Sequence, residues 1–118
     1  MSRVVFEEDD VLLRIYTSEG SKHHHGYPLY EAVVLKAREL GLAGATVLRG
    51  VLGFGADRRL HTSKLVDLME DLPVVVEIVD TAENIAKLRP FLDEVLDVAF
   101  VTAENVHVLK YRHKDEKE

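Results

Sequence analysis

Gly53-Phe54-Gly55 leads into a segment that carries Arg58, Arg59, His61 and Lys64 within a few residues. Glycines let backbone N–H groups come close to a ligand phosphate or base edge, and clustered cations neutralise a phosphate or an acidic partner. In a chain with net charge −6 this is a local basic island. His23, His24 and His25 form a second candidate group. On an extended loop alternate side chains point the same way, so His23 and His25 could share one metal ion, with Glu19 nearby. Arg14 and Arg49 stand in otherwise apolar strand patterns, and a cation there needs a partner or a ligand. An intramolecular ion pair is the favoured reading of both.

Other chemistry is excluded by residue type. There is no Cys, hence no thiolate nucleophile and no disulfide. No G-x-S-x-G, H-E-x-x-H or Walker A pattern is present, so the sequence reads as a binding protein and not an enzyme. Glu7, Glu8, Asp9 and Asp10 are expected to be a solvated charge run, in a polar start through Asp10 that reads as frayed or edge-like. The acidic balance argues against general nucleic-acid binding. No signal-peptide pattern and no bilayer-length apolar run is present, so a cytoplasmic location without membrane insertion is expected. Gln is absent, Asn scarce and charge plentiful, a pattern of thermophilic proteins.

The elements that must position these residues follow from periodicity. The 118 residues make one domain, with a charged tail over 113–118 expected to be disordered. Val11, Leu13 and Ile15 share one face of a first strand. Tyr27-Pro28 opens a helix with Leu29, Ala32, Val33, Ala37 and Leu40 on one stripe, and Gly41 stops it. Ala45 to Leu52 reads as a second strand. A loop covers 53–64, and 65–69 is either a helical turn or more sheet. Pro73 to Val79 is the strongest strand signal. Asp80-Thr81 caps a second helix bearing Ile85, Leu88, Leu92 and Val95, with a kink or break expected near Arg89 because Pro90 lacks an N–H. A last strand runs from about Ala103 to Tyr111. The order βαββαβ predicts an α+β, ferredoxin-like fold: a four-stranded antiparallel sheet with two helices on one face. The face away from the helices is also apolar in pattern, which predicts subunit packing.

The segment Gly41 to Gly55 resembles the PII signalling proteins, in which such a strand leads into a GFG that opens a long loop. His61 and Leu72-Pro73 match further positions. The likeness is closer to a PII-like family called DUF-190 or UPF-0166. It rests on Arg14-Ile15-Tyr16, Pro28-Leu29-Tyr30-Glu31-Ala32, Ala37 through Gly50, Gly53-Phe54-Gly55, Leu60 through Lys64 and Asp71 through Asp80. The resemblance implies a homotrimer, a ligand site at the cleft between subunits, and a regulated protein partner met through the loop 53–64. The ligand it implies is an adenine nucleotide, with no cofactor required. The binding residues it implies are Thr46, Arg49, Gly53, Phe54, Gly55, Arg58, Arg59, His61 and Lys64. Three departures from PII proteins favour AMP or ADP over a triphosphate. Phe100 to Asn105 replaces the PII phosphate loop, the basic pair after the last strand is reduced to Lys110 and Arg112, and no Tyr lies between Ala56 and Lys64. Two alternatives stay open. One is a metal-binding trimer similar to divalent-cation tolerance proteins, using His23, His25 and His61. The other is a trimer that binds only protein.

Overall fold

In a computed structural model of the chain, residues 4–23, 26–62 and 71–112 are described. The order is β1 (Val4–Ser18), α1 (Leu29–Glu39), β2 (Gly44–Arg49), β3 (Leu52–Gly53), β4 (His61–Thr62), β5 (Pro73–Asp80), α2 (Ala82–Val95) and β6 (Phe100–Arg112). Four strands form one antiparallel sheet in the order β2-β5-β1-β6, and β3 pairs with β4 in a separate hairpin. This is the ferredoxin-like fold, as the element order predicted.

Both helices cover one face of the sheet. Leu13 and Ile15 of β1, with Val74, Val76 and Ile78 of β5, meet Leu29, Val33 and Ala37 of α1 and Ile85, Leu88 and Leu92 of α2 in a single core. The strand members alternate and the helix members recur every third or fourth residue, so each element buries one stripe. Gly41, at φ 78°, ends α1. There the Leu42 N–H donates to the Ala37 carbonyl at 3.0 Å and the Gly41 N–H to the Arg38 carbonyl at 3.0 Å.

Asp80 joins the layers. It is fully buried at the end of β5 and accepts from the N–H groups of Ala43 (2.8 Å) and Thr81 (2.7 Å) and from the Asn84 side-chain amide (3.0 Å). Thr81 caps α2 as expected, its hydroxyl accepting from the Asn84 N–H at 3.1 Å.

Three expectations are corrected. β1 begins at Val4, and its first half pairs with Val106 to Arg112 of β6 alone, so of the two expectations for the start the edge-like one holds and the frayed one does not. Asp10 in the acidic run is buried, and Asp9 lies 2.8 Å from His107 Nδ1 across the ribbon. α2 runs unbroken through Pro90, which sits on the exposed side while Ile85, Leu88 and Leu92 hold the helix down. One missing hydrogen bond on a solvated face does not outweigh that packing. The expected strand 45–52 breaks at Gly50, whose N–H turns to donate to the Pro73 carbonyl at 2.7 Å, and the chain restarts as β3. The question of a helical turn or sheet at 65–69, and the tail 113–118, fall outside the described residues.

The helix-free face is ordered in rows by the strand register. Leu48, Val75, Tyr16 and Phe100 form one row across all four strands. Thr46, Glu77, Arg14 and Thr102 form the next. Leu48 and Phe100 are about half exposed, and the Tyr16 and Phe100 rings lie 5.1 Å apart. Arg14 donates from Nε to Glu77 at 2.9 Å and from Nη1 to Glu104. These hydrogen bonds, to Glu77 first and then to Glu104, hold the guanidinium even more firmly in its charged form.

Candidate functional site

A cleft of about 260 Å³ opens where β1 ends, β5 begins and the chain crosses from β2 into the β3–β4 hairpin. Its floor is the edge of the sheet, with Tyr16, Thr17 and Ser18 from β1 and Pro73, Val74 and Val75 from β5. One wall is Gly50 and the run Leu52 to Asp57, and Ser21 and Val98 close the ends. Ser18 is 4% exposed, and its hydroxyl lies 3.0 Å from that of Ser21.

The hairpin wall has local reasons for its shape. Leu52 pairs with Thr62 and Gly53 with His61. Between them the Arg58 N–H donates to the Gly55 carbonyl at 2.9 Å, closing a turn, and the Arg59 N–H donates to Asp57 at 3.0 Å. The Arg58 guanidinium lies over the Phe54 ring, 5.0 Å from its centroid.

Two ion pairs tie the segments around the cleft together, one from the end of β2 to the turn after β1 and one from the β3–β4 loop to the residues before β5. Arg49 meets Glu19 at 2.7 Å, and Arg59 approaches Asp71 at 3.8 Å. Asp71 also accepts from the Gly20 N–H at 2.9 Å, and the Glu19 N–H donates to the Leu72 carbonyl at 2.9 Å. The ion-pair reading of Arg14 and Arg49 is therefore what the side chains do.

Of the sequence candidates, Gly53, Phe54 and Gly55 line the cleft together. Arg58 is attached to it through Phe54, and Arg59 sits in the β3–β4 loop. Arg49 ends β2 in its pair with Glu19, outside the lining. Thr46 lies farther along β2, opposite Glu77 on the open face. The His61 backbone pairs with Gly53, while Lys64 and His25 lie outside the described residues. The His23 ring stacks on Phe91 of α2 at 6.1 Å. Among the described residues no group of three or more His, Cys, Asp or Glu is placed to hold a metal ion.

Tyr16, Ser18, Ser21 and Val98 were missed as site residues. Ser18 and Ser21 flank a glycine in a polar turn, a signal of a loop but not of a cleft. Val98 reaches the cleft only because β6 returns beside β1.

A split βαβ sheet with a glycine-rich hairpin rising from the end of its second strand defines the class: a ferredoxin-like domain of PII-like form. Its fold is similar to a putative PII-like signalling protein from Thermus thermophilus, with TM-score 0.63, 19% identity, and 89% of this chain and 94% of that one covered. It is also similar to CPII from Thiomonas intermedia K12, a nitrogen regulatory PII-like protein solved bound to ADP, AMP and bicarbonate. There the TM-score is 0.60 at 16% identity, covering 87% and 91% of the two chains.

The chain itself belongs to the DUF190 family, described as "Uncharacterized ACR", whose model matches residues 10–108. A UPF0166 protein of Aquifex aeolicus (strain VF5) is 41% identical over 100 residues, 83% of this chain and 91% of that protein. A UPF0166 protein of Methanocaldococcus jannaschii is 34% identical over 84% of this chain and 91% of its own length. Among the described residues no helix is long and apolar enough to cross a membrane.

Proposed function

We propose that this protein is a PII-like regulator: a homotrimer that binds an adenine nucleotide in the cleft beside Gly53-Phe54-Gly55 and signals through the hairpin above it. The observation that carries the reading is the cleft, whose wall includes Gly53, Phe54 and Gly55 from among the residues that the sequence resemblance singles out. Its volume of about 260 Å³ lies just under the usual range for ligand sites, as suits a half-site completed by a neighbouring subunit. The apolar row Leu48-Val75-Tyr16-Phe100 on the open sheet face supplies the surface for that packing. Tyr16 belongs to both the row and the cleft, which puts the subunit boundary beside the ligand. The similar CPII fold, solved with ADP and AMP, supports the choice of ligand.

The nucleotide acts by binding and not by being converted. Held against Gly53 to Gly55, it fixes the hairpin in one arrangement, and the two states differ in what they offer a partner. Phe54, Leu60, Val51 and Leu52 are all more than half exposed, an apolar surface fitted to protein docking. AMP, ADP or ATP should raise the melting temperature by mass action. Absence of any shift, with each at roughly a thousand times the expected micromolar Kd, removes the nucleotide from the proposal.

A further inference from the structure

The charge of the cleft wall is informative. Its described residues include one formal charge, Asp57, and that charge is negative. No Lys, Arg or His is among them. The other polar side chains of its lining are those of Tyr16, Thr17, Ser18 and Ser21, beside the apolar side chains of Leu52, Phe54, Val75 and Val98. The hairpin's cations stand outside. Arg58 lies over the Phe54 ring, and Arg59 is turned toward Asp71 and is two-thirds exposed.

A phosphate group carries about −1.5 to −2 charges at neutral pH. Placed inside this cleft it would lose water, meet Asp57 and find no cation on the described wall, which is costly. A flat uncharged heterocycle meets no such penalty. Its face can lie on an aromatic wall, and its edge nitrogens can exchange hydrogen bonds with the paired hydroxyls of Ser18 and Ser21.

We infer that the cleft recognises the nucleoside and leaves the phosphates at the rim beside Arg58, so that the ligand class is adenosine and its phosphates, with little regard to phosphate number. The inference rests on the nucleotide reading of the same cleft. A solvated rim pair contributes at most about 1 kcal/mol, less than a tenfold change in affinity. The nucleoside contacts, by contrast, are common to every member of the series.

The test is calorimetric titration of the full chain with adenosine, AMP, ADP, ATP and ribose 5-phosphate at about 0.15 M ionic strength. Adenosine is expected to bind within about tenfold of AMP and ADP, and ribose 5-phosphate not to bind. Ser18→Ala should weaken adenosine and AMP by one common factor, about fivefold. Phe54→Ala, at an exposed position that leaves the core intact, should do the same. If AMP or ADP binds and adenosine is more than tenfold weaker, the inference falls and the nucleotide reading stands. If adenosine binds and the nucleotides do not, the phosphates are excluded and not tolerated at the rim, and both the inference and the nucleotide reading fall. If no adenine compound binds, both fall.

Discussion

Replacing Asp80 with Ala tests the joint that holds the sheet, α2 and the α1–β2 turn together. The carboxylate is fully buried and accepts from two backbone N–H groups, those of Ala43 and Thr81, and from the Asn84 amide. The Asn84 side chain is partly exposed and can turn toward water, but the two backbone donors are fixed by the elements they belong to. Hydrogen bonds to a charged acceptor contribute about 1.5–3 kcal/mol each, so losing two of them costs about 3–6 kcal/mol. The carboxylate also stands at the positive end of α2, which adds a few tenths to the same sign. For a domain of this size the loss lowers the melting temperature by about 12–24 °C. Asp80→Asn keeps one carbonyl oxygen and should fall between wild type and the Ala variant. The assay is thermal and urea unfolding followed by circular dichroism, at one fixed protomer concentration because assembly is linked to folding. An Ala variant less than about 1 kcal/mol below wild type refutes the reasoning, as does an Asn variant as unstable as the Ala one.

Three further outcomes are expected. Phe54→Ala should weaken AMP binding by about 1 kcal/mol, the low end of the worth of one base-stacking surface, with unfolding unchanged, checked by calorimetry and circular dichroism. Leu48→Glu puts a charge in the apolar row of the open face and should convert the proposed trimer to monomers, read by light scattering on a sizing column; an unchanged mass moves the subunit boundary elsewhere. Gly20→Ala would set a Cβ 2.5 Å from Asp71 Oδ1. Asp71 must then leave the Gly20 N–H and Arg59, at a cost of about 1–2 kcal/mol in stability. Faster proteolysis within the hairpin should accompany the loss.

Much of the fold was legible because local pattern and burial agree. Alternation at Leu13 and Ile15 and at Val74, Val76 and Ile78, and the helical recurrence of Leu29, Val33 and Ala37, each name the buried stripe of an element. Thr81 as a cap and Gly41 as a stop are short-range events between residues a few positions apart, so type and spacing suffice to foresee them. The glycine-rich segment was expected as a loop over 53–64, and its pairing of Gly53 with His61 in a hairpin was not foreseen.

What depended on distant pairing was not. The extent of β1 back to Val4 follows from Val106 to Arg112 arriving beside it, nearly a chain length away. Pro90 stays helical because the core grips Ile85, Leu88 and Leu92 around it. Gly50 turns out of β2 because its N–H meets the Pro73 carbonyl. The cleft is the same kind of event. Tyr16, Ser18 and Ser21 come from one end of the chain, Pro73 from the middle and Val98 from beyond the second helix, and only the sheet order β2-β5-β1-β6 brings them to one rim. The sequence by itself determined which stripes are buried and which loop carries the glycines and cations, because those depend on neighbours along the chain. Tertiary structure decided which charges are consumed in ion pairs and which side chains wall the cavity, because those depend on contacts that chain folding alone creates.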